Sequence, residues 1–136
     1  MDFNIKYNIM PSDYKRIRKD VEWHFLRDFE ISKLLNNSDI KVSIYDKELC
    51  VGVGRCISDT TNLFLICDIM VLKSYQGKGI GKLIINSLID KIKNINSSDK
   101  YIYVMSVKGK EGFYEKLGFS KDIKSGYCIH LLGDNE

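Results

Sequence analysis

A glycine-rich turn, Gln76-Gly77-Lys78-Gly79-Ile80-Gly81, lies between a long apolar run and a stretch with helical periodicity. The first turn of a helix carries backbone N–H groups without intrahelical partners and a partial positive charge. Glycines have no Cβ atoms, so a diphosphate can approach these N–H groups closely. The turn therefore predicts a binding site for a pyrophosphate group.

Three phosphate-binding patterns compete for this turn. The P-loop requires Ser or Thr after its Gly-Lys pair, but Lys82 is followed by Leu83, and Gln76 stands where the loop begins with glycine. The dinucleotide fingerprint G-x-G-x-x-G fails because Lys82 occupies the place of its third glycine. The pattern Q/R-x-x-G-x-G/A fits, with Gln76, Gly79 and Gly81 at its fixed positions.

A single carboxylate lies in the apolar run before this turn. Asp68 is the only charged residue between Leu63 and Leu72. A carboxylate in such a run needs partners that compensate for its burial. Asp68 could accept a proton, bind a substrate ammonium or be satisfied by backbone donors, and the sequence leaves these roles open.

The elements that position these residues follow from hydrophobic periodicity and turn residues. Alternation and apolar runs predict strands at Phe3–Ile9, Lys41–Tyr45, Leu49–Ile57, Leu63–Leu72, Tyr101–Val107 and Cys128–Leu132. Helical spacing predicts helices from Ser12 or Asp13 to about His24, and at Asp28–Leu35, Gly79–Ile95 and Glu111–Leu117 with Gly118 as a left-handed cap. This order indicates a mixed α+β fold with a right-handed parallel crossover at its centre.

Composition excludes several classes of protein. We expect one domain over residues 1–136, and a net charge of +3 is too small to favour nucleic-acid binding. The chain has no apolar stretch of membrane-spanning length, and its N-terminus lacks the features of a signal peptide. Its four cysteines show no metal-ligand spacing, so we expect no metal, buried free thiols and a cytoplasmic location.

Two segments resemble the GNAT acetyltransferase superfamily. The phrase Val71–Gly81 resembles that family's acetyl-CoA signature, and Gly112–Phe119 is similar to its F/L-Y-x-K-x-G-F segment. Together and in this order they are more specific than either alone, and the detailed resemblance covers Leu49–Phe119. It implies a mixed, mostly antiparallel sheet with a splayed parallel strand pair, flanked by about four helices.

The resemblance also implies roles for individual residues, with acetyl-CoA as cosubstrate. Backbone N–H groups of the signature turn would hold the pyrophosphate; this turn consists of Gln76, Gly77, Lys78, Gly79, Ile80 and Gly81. The pantetheine arm would pair with the backbone of Ile69 and Val71, and a donor at Ile69 or Met70 would polarise the thioester carbonyl. Tyr114 matches the family's general acid, which protonates the departing thiolate, although it could also be a packed aromatic residue.

The general base is less clearly indicated. Some relatives carry an acidic residue or histidine at the positions of Leu65 and Cys67, so Asp68 is the remaining candidate on this strand. In the family, the region that here contains Trp23, Phe25 and Phe29 usually lines the acceptor pocket, and these three side chains could line a pocket or belong to the core.

The expected activity is transfer of an acetyl group from acetyl-CoA to a primary amine in a ternary complex. The short chain favours a small-molecule amine over a protein lysine or N-terminus. Two other classes stay open, a CoA-binding regulatory module without catalysis and a nucleotide-binding switch protein. Family members often form homodimers, but no sequence feature here indicates an interface.

Overall fold

The structure is a computed structural model that describes residues 2–95, 99–105 and 108–120. The chain divides into two compact units, Met1–Met105 and Ser106–Glu136. The strand predicted at Cys128–Leu132 lies outside the described residues. The single domain over residues 1–136 stays a prediction.

Five strands form one mixed sheet in the first unit. They are β1 (Asn4–Lys6), β2 (Ile40–Asp46), β3 (Leu49–Ser58), β4 (Leu63–Val71) and β5 (Tyr101–Val104). They lie side by side in chain order, with β1 to β4 antiparallel to their neighbours and β5 parallel to β4. The predicted mostly antiparallel sheet with one parallel pair is confirmed.

The described part of the chain contains four α-helices. They are α1 (Pro11–Asp20), α2 (Asp28–Asn36), α3 (Ile80–Lys93) and, in the second unit, α4 (Glu111–Lys116). A 3-10 turn at Lys73–Tyr75 connects β4 to the glycine-rich turn. Gly118 follows α4 with a φ of 99°, so its prediction as a left-handed cap is confirmed.

The boundaries of α1 differ from the prediction. The helix begins at Pro11, with Met10 as N-cap and no capping side chain, so neither Ser12 nor Asp13 caps it. Proline fits the first helical position because its missing N–H would have no partner there. The helix ends at Asp20 rather than near His24, because Glu22 adopts a left-handed φ of 62°.

Two strands are shorter than their periodicity predicts. β1 stops at Lys6 rather than Ile9, and beyond it Ser43 Oγ donates to the carbonyl of Asn8, 2.5 Å away. A side-chain contact thus replaces the strand ladder on this edge. β5 stops at Val104, and residues 106–107 of the predicted strand lie outside the described part.

Helix α3 covers one face of the sheet and packs against β2, β3 and β4. Its apolar stripe is buried, namely Ile80, Ile84, Ile85, Leu88 and Ile92. The helix approaches β3 closely at two glycines: a Cβ at Gly52 would stand 2.9 Å from Ile80 Cγ2, and one at Gly54 would stand 2.4 Å from Ile84 Cγ2. The absence of side chains at these glycines therefore sets the distance between α3 and the sheet.

Helix α1 packs on β3 and β4, and α2 packs on α1. Neighbouring residues of a strand point to opposite faces. Gly54 faces α3, and the next residue, Arg55, reaches Tyr14 and Asp68 on the α1 face. Cys50, Cys56 and Cys67 are buried free thiols, as predicted, and Cys128 lies outside the described residues.

Candidate active site

Strand β4 continues past the end of its partner β5. Their parallel register runs from Leu63↔Tyr101 to Ile66↔Val104, and the N–H of Met105 donates to the carbonyl of Ile66 at 3.2 Å. β4 itself extends to Val71. Among the described residues, no strand pairs with Cys67–Val71 on this side. We call this stretch the open edge, and an extended ligand can pair with such a backbone.

Alternation along β4 determines which backbone groups face the open edge. The N–H of Leu72 donates to the carbonyl of Val51 on β3, at 2.9 Å. Met70, opposite Val53, therefore also directs its N–H towards β3, whereas those of Ile69 and Val71 point away from it. Of the two sequence candidates for a carbonyl-polarising donor, Ile69 is the one whose N–H lies on the open edge.

The glycine-rich turn follows directly and ends at the N-terminus of α3. Gly77 and Gly79 have φ values of 81° and 83°, in the left-handed region that favours glycine. In the described structure, a Cβ at either glycine would meet no neighbouring atom within 4 Å. The first intrahelical bond runs from the N–H of Leu83 to the carbonyl of Gly79, at 3.1 Å, so the earlier N–H groups lack helical acceptors. These open donors fit a pyrophosphate group.

Side-chain hydrogen bonds hold the 3-10 turn at Lys73–Tyr75, and the first residue of the glycine-rich turn, against other elements. The N–H of Lys73 donates to Asp20 Oδ2 at 2.8 Å, and Tyr75 Oη donates to Asp46 Oδ2 at 2.6 Å. Gln76 Nε2 donates to the carbonyl of Val71 at 3.1 Å, which brings the turn back onto the open edge. The sequence did not predict these contacts, because Asp20 and Asp46 lie far from the turn along the chain.

Asp68 is held on the α1 face by two side chains. Its Oδ2 accepts from Arg55 Nε and from Tyr14 Oη, each at 2.7 Å. The Asp68 and Arg55 side chains are only 16% and 13% exposed. Burial and the neighbouring carboxylate hold the pKa of Tyr14 well above its usual range, so Tyr14 is the donor in this bond. Sequence reasoning left three roles for Asp68 open and missed both of these partners.

Tyr114 lies in the second unit, on α4. It is buried and makes edge-to-face contacts with Phe113 and Phe119, with ring centroids 5.0 and 5.9 Å apart. Burial raises the pKa of its hydroxyl above the ordinary value of 10.0. The group is therefore protonated at neutral pH, which a proton donor requires.

The aromatic residues that follow α1, Trp23 and Phe25 before α2 and Phe29 in its first turn, do not form a core. Phe25 and Phe29 are 69% and 64% exposed. Arg18 stacks on Trp23 with 5.6 Å between guanidinium and ring, and Arg27 stacks on Phe29 at 5.2 Å. Phe25 and Phe29 thus present their rings to the solvent.

The described residues contain neither a metal-binding cluster nor a membrane-spanning helix. None of their His, Cys, Asp and Glu side chains form a group of three or more that could hold a metal ion. No helix within the described ranges is long and apolar enough to cross a membrane.

Comparison with known proteins identifies the family. The model of the acetyltransferase (GNAT) domain matches residues 19–128. An uncharacterised N-acetyltransferase, ycf52, of Pyropia yezoensis is 34% identical over 119 residues, which are 85% of this chain and 67% of the relative. The ribosomal protein bS18-alanine N-acetyltransferase of Haemophilus influenzae is 26% identical over 134 residues, covering 94% of this chain and 90% of that enzyme.

A solved structure agrees with this assignment. The crystal structure of a protein of unknown function from meticillin-resistant Staphylococcus aureus has a TM-score of 0.83 and 31% identity, covering 96% of this chain and 100% of that one. The family match covers most of the chain, and the mixed sheet agrees with it. This chain belongs to the GNAT acetyltransferase family and is an acyltransferase of the N-acetyltransferase type.

Proposed function

We propose that this protein transfers an acetyl group from acetyl-CoA to a primary amine in a ternary complex. One observation carries the proposal: the open edge of β4, Cys67–Val71, leads through a single turn to two left-handed glycines and the N-terminus of α3. An extended arm that ends in a diphosphate matches this succession of backbone donors. Acetyl-CoA combines these two features with a reactive thioester.

The backbone of the open edge would hold the pantetheine arm as an added strand. Ile69 and Val71 point their N–H groups to this side. The N–H of Ile69 would donate to the thioester carbonyl oxygen, where negative charge develops during the reaction. The turn from Gln76 to Gly81 would bind the pyrophosphate through its backbone N–H groups.

The chemical step is a direct displacement. The nitrogen of a neutral amine attacks the thioester carbon, the carbon–sulfur bond breaks, and the sulfur leaves as a thiolate that takes the proton of the Tyr114 hydroxyl. The new amide nitrogen loses its extra proton to water. The products are the N-acetylated amine and CoA with a free thiol, and solvent reprotonates Tyr114.

The cysteines support direct transfer over an acyl-cysteine intermediate. A thiolate is the nucleophile in that chemistry, so a reactive cysteine has a lowered pKa and some exposure. Cys67, on the open edge, is buried, and burial raises its pKa from 9.0 to about 11. Burial likewise raises the pKa of Cys50 to about 11. Neither thiol ionises near neutral pH.

The acceptor has two candidate classes. A small-molecule primary amine is the prediction from the sequence. A protein N-terminus is the second candidate, because the Haemophilus influenzae relative is named for the alanine terminus of ribosomal protein bS18 and matches nearly the whole chain. The exposed rings of Phe25 and Phe29 would suit either class, since acceptors of both classes present an apolar body beside a cation.

A thiol-release assay tests the proposal. The protein is incubated with acetyl-CoA and either a polyamine, an amino acid, an aminoglycoside or a peptide with N-terminal alanine. We expect free CoA thiol to form with one acceptor class well above the rate without acceptor. Binding of acetyl-CoA without turnover on any acceptor would instead favour the regulatory module without catalysis.

Two further properties accompany the proposed function. We propose a cytoplasmic location, since three buried free thiols suit a reducing compartment. A homodimer and a single domain over residues 1–136 stay predictions. Analytical ultracentrifugation and a single cooperative unfolding transition would test them.

A further inference from the structure

Strand β4 contains a bulge at Asp68. Val53 pairs with Met70 but Arg55 pairs with Cys67, so Asp68 and Ile69 together oppose Gly54. Asp68 adopts a left-handed φ of 56°. Three other described non-glycine residues share a positive φ, and all three lie exposed outside the strands: Glu22, Lys47 and Thr60. Among the described non-glycine residues with a positive φ, Asp68 is the one that lies inside a strand. Such a conformation requires support from its surroundings.

The carboxylate of Asp68 supplies that support. Arg55 Nε and Tyr14 Oη converge on its Oδ2, each at 2.7 Å. These donors are held in turn, since Arg55 Nη1 donates to Ser38 Oγ at 3.2 Å and Arg18 Nη1 donates to Tyr14 Oη at 2.9 Å. The side chain is therefore fixed by elements on the α1 face as well as by β3.

The bulge decides where the following residues point. Residues along a strand alternate in direction, so one extra residue reverses the direction of those that follow. Upstream of the bulge, the carbonyl of Ile66 faces β5. Downstream of it, Leu72 faces β3, and hence Ile69 and Val71 face the open edge. Without the extra residue, the N–H of Ile69 would point into the β3 pairing.

We propose that Asp68 is a positioning residue. Its carboxylate, held by Arg55 and Tyr14, locks the bulge that directs the N–H of Ile69 to the thioester carbonyl oxygen. This role rests on the proposed function, and it differs from that of a general base, because Asp68 acts through the backbone of Ile69. Both donors occupy the same carboxylate oxygen on the α1 face.

Three substitutions separate the anchor from the backbone conformation. Asp68→Asn keeps an oxygen acceptor, and asparagine tolerates the left-handed region. Asp68→Gly keeps the conformation accessible but removes the anchor, and Asp68→Ala removes both. Lys47→Gly is the matched control, since Lys47 has a φ of 56° in an exposed turn and lies outside the site.

Steady-state kinetics against acetyl-CoA give the first readout. We expect Asp68→Asn and Lys47→Gly to keep kcat within about threefold of wild type. In Asp68→Gly and Asp68→Ala, kcat should fall about 10- to 100-fold, because the N–H that stabilises the oxyanion is misplaced. The loss should fall on kcat more than on KM, and the pH profile of kcat should keep its shape. A kcat for Asp68→Gly equal to that of wild type would refute the proposal that the Asp68 carboxylate anchors the bulge. Loss of an ionisation from the profile of Asp68→Asn would assign Asp68 as the base and overturn the proposal.

A second readout needs neither acetyl-CoA nor an acceptor. In amide NMR spectra of the unliganded protein, the Ile69 and Met70 resonances should be single and sharp in wild type and Asp68→Asn. They should split or broaden in Asp68→Gly and Asp68→Ala, even where the rest of the spectrum shows a folded chain. Ile69 and Met70 resonances that stay unchanged in Asp68→Ala would likewise refute the proposal that the Asp68 carboxylate anchors the bulge. This readout does not depend on transferase activity. A wild type that shows no activity in the kinetic assay would therefore refute the proposed function, whereas the NMR spectra would still test the role of Asp68 in the bulge.

Discussion

The side-chain amide of Gln76 donates a hydrogen bond to the backbone carbonyl of Val71, with 3.1 Å between the two atoms. Val71 ends β4, and Gln76 opens the glycine-rich turn. The bond therefore joins the two parts of the candidate acetyl-CoA site. Through this bond, Gln76 holds the start of the glycine-rich turn against the end of β4.

Removing this bond should weaken acetyl-CoA binding. A single hydrogen bond contributes about 1 kcal/mol, so Gln76→Ala should raise the Kd for acetyl-CoA about fivefold with little change in Tm. Isothermal titration calorimetry measures the Kd. Asn86→Ala, an exposed substitution later in α3, is the control that should bind like wild type. An equal Kd for Gln76→Ala and wild type would show that the bond does not order the site.

Gly54 should be intolerant of even one methyl group. Its Cβ would stand 2.4 Å from Ile84 Cγ2 and 2.6 Å from Ile69 Cδ1, so α3 or the bulge must shift. Such overpacking costs about 1–3 kcal/mol. Urea unfolding of Gly54→Ala should show this loss, whereas Gly112→Ala, in open space on α4, should be neutral or stabilising. Equal stability of Gly54→Ala and wild type would contradict the close packing of α3 on β3.

Tyr114→Phe should separate chemistry from binding. Without the hydroxyl, the thiolate leaves without a positioned proton donor, and kcat should fall about 100-fold or more. The Kd for acetyl-CoA should change by less than about threefold, because the turn and the open edge remain intact. Tyr7→Phe, at an exposed tyrosine of the first unit, is the control. Full activity of Tyr114→Phe would remove this residue from the mechanism.

Alkaline pH should destabilise the fold through its buried thiols. Burial raises the pKa of Cys50 and Cys67 from 9.0 to about 11, so the unfolded chain releases these protons first. Their stabilising contribution is present below pH 9 and is lost as the pH rises towards 11. Each such thiol lowers the free energy of unfolding by about 1.4 kcal/mol per pH unit in that window.

Urea titrations between pH 8 and 11, with a reductant present, measure this dependence. Cys67→Ala should flatten the slope by about one thiol's share, and Asn86→Ala should keep the wild-type slope. An unchanged slope in Cys67→Ala would show that this thiol ionises equally in the folded and unfolded chains.

The elements of the fold could be predicted because their patterns are local. Apolar residues recur every fourth position at Ile80, Ile84, Leu88 and Ile92, and this spacing predicted the bounds of α3 within a few residues. The apolar run from Leu63 predicted β4. The glycine-rich turn was likewise visible, since its spacing lies within a single segment. Periodicity was enough for α3, which buries one apolar stripe against the sheet.

The parts that were missed depend on contacts between distant residues. Tyr14 and Asp68 are 54 positions apart, and no local pattern indicates that their side chains meet. The bulge shifts the register by one residue inside a run that is apolar on both sides of Asp68, so alternation gives no sign of it. The early end of α1 depends on the left-handed Glu22, whose carboxylate pairs with Lys73 at 2.9 Å.

Calorimetric titration of acetyl-CoA into three proteins tests the central claim most directly. Gly79→Asp places a carboxylate in the glycine-rich turn, and Gly109→Asp places one at a left-handed glycine that is equally open but outside that turn. We predict that wild type and Gly109→Asp bind acetyl-CoA and that Gly79→Asp binds at least about 100-fold more weakly, with all three folded. A folded wild type that does not bind acetyl-CoA, or Gly79→Asp that binds like wild type, would contradict the placement of the pyrophosphate on this turn.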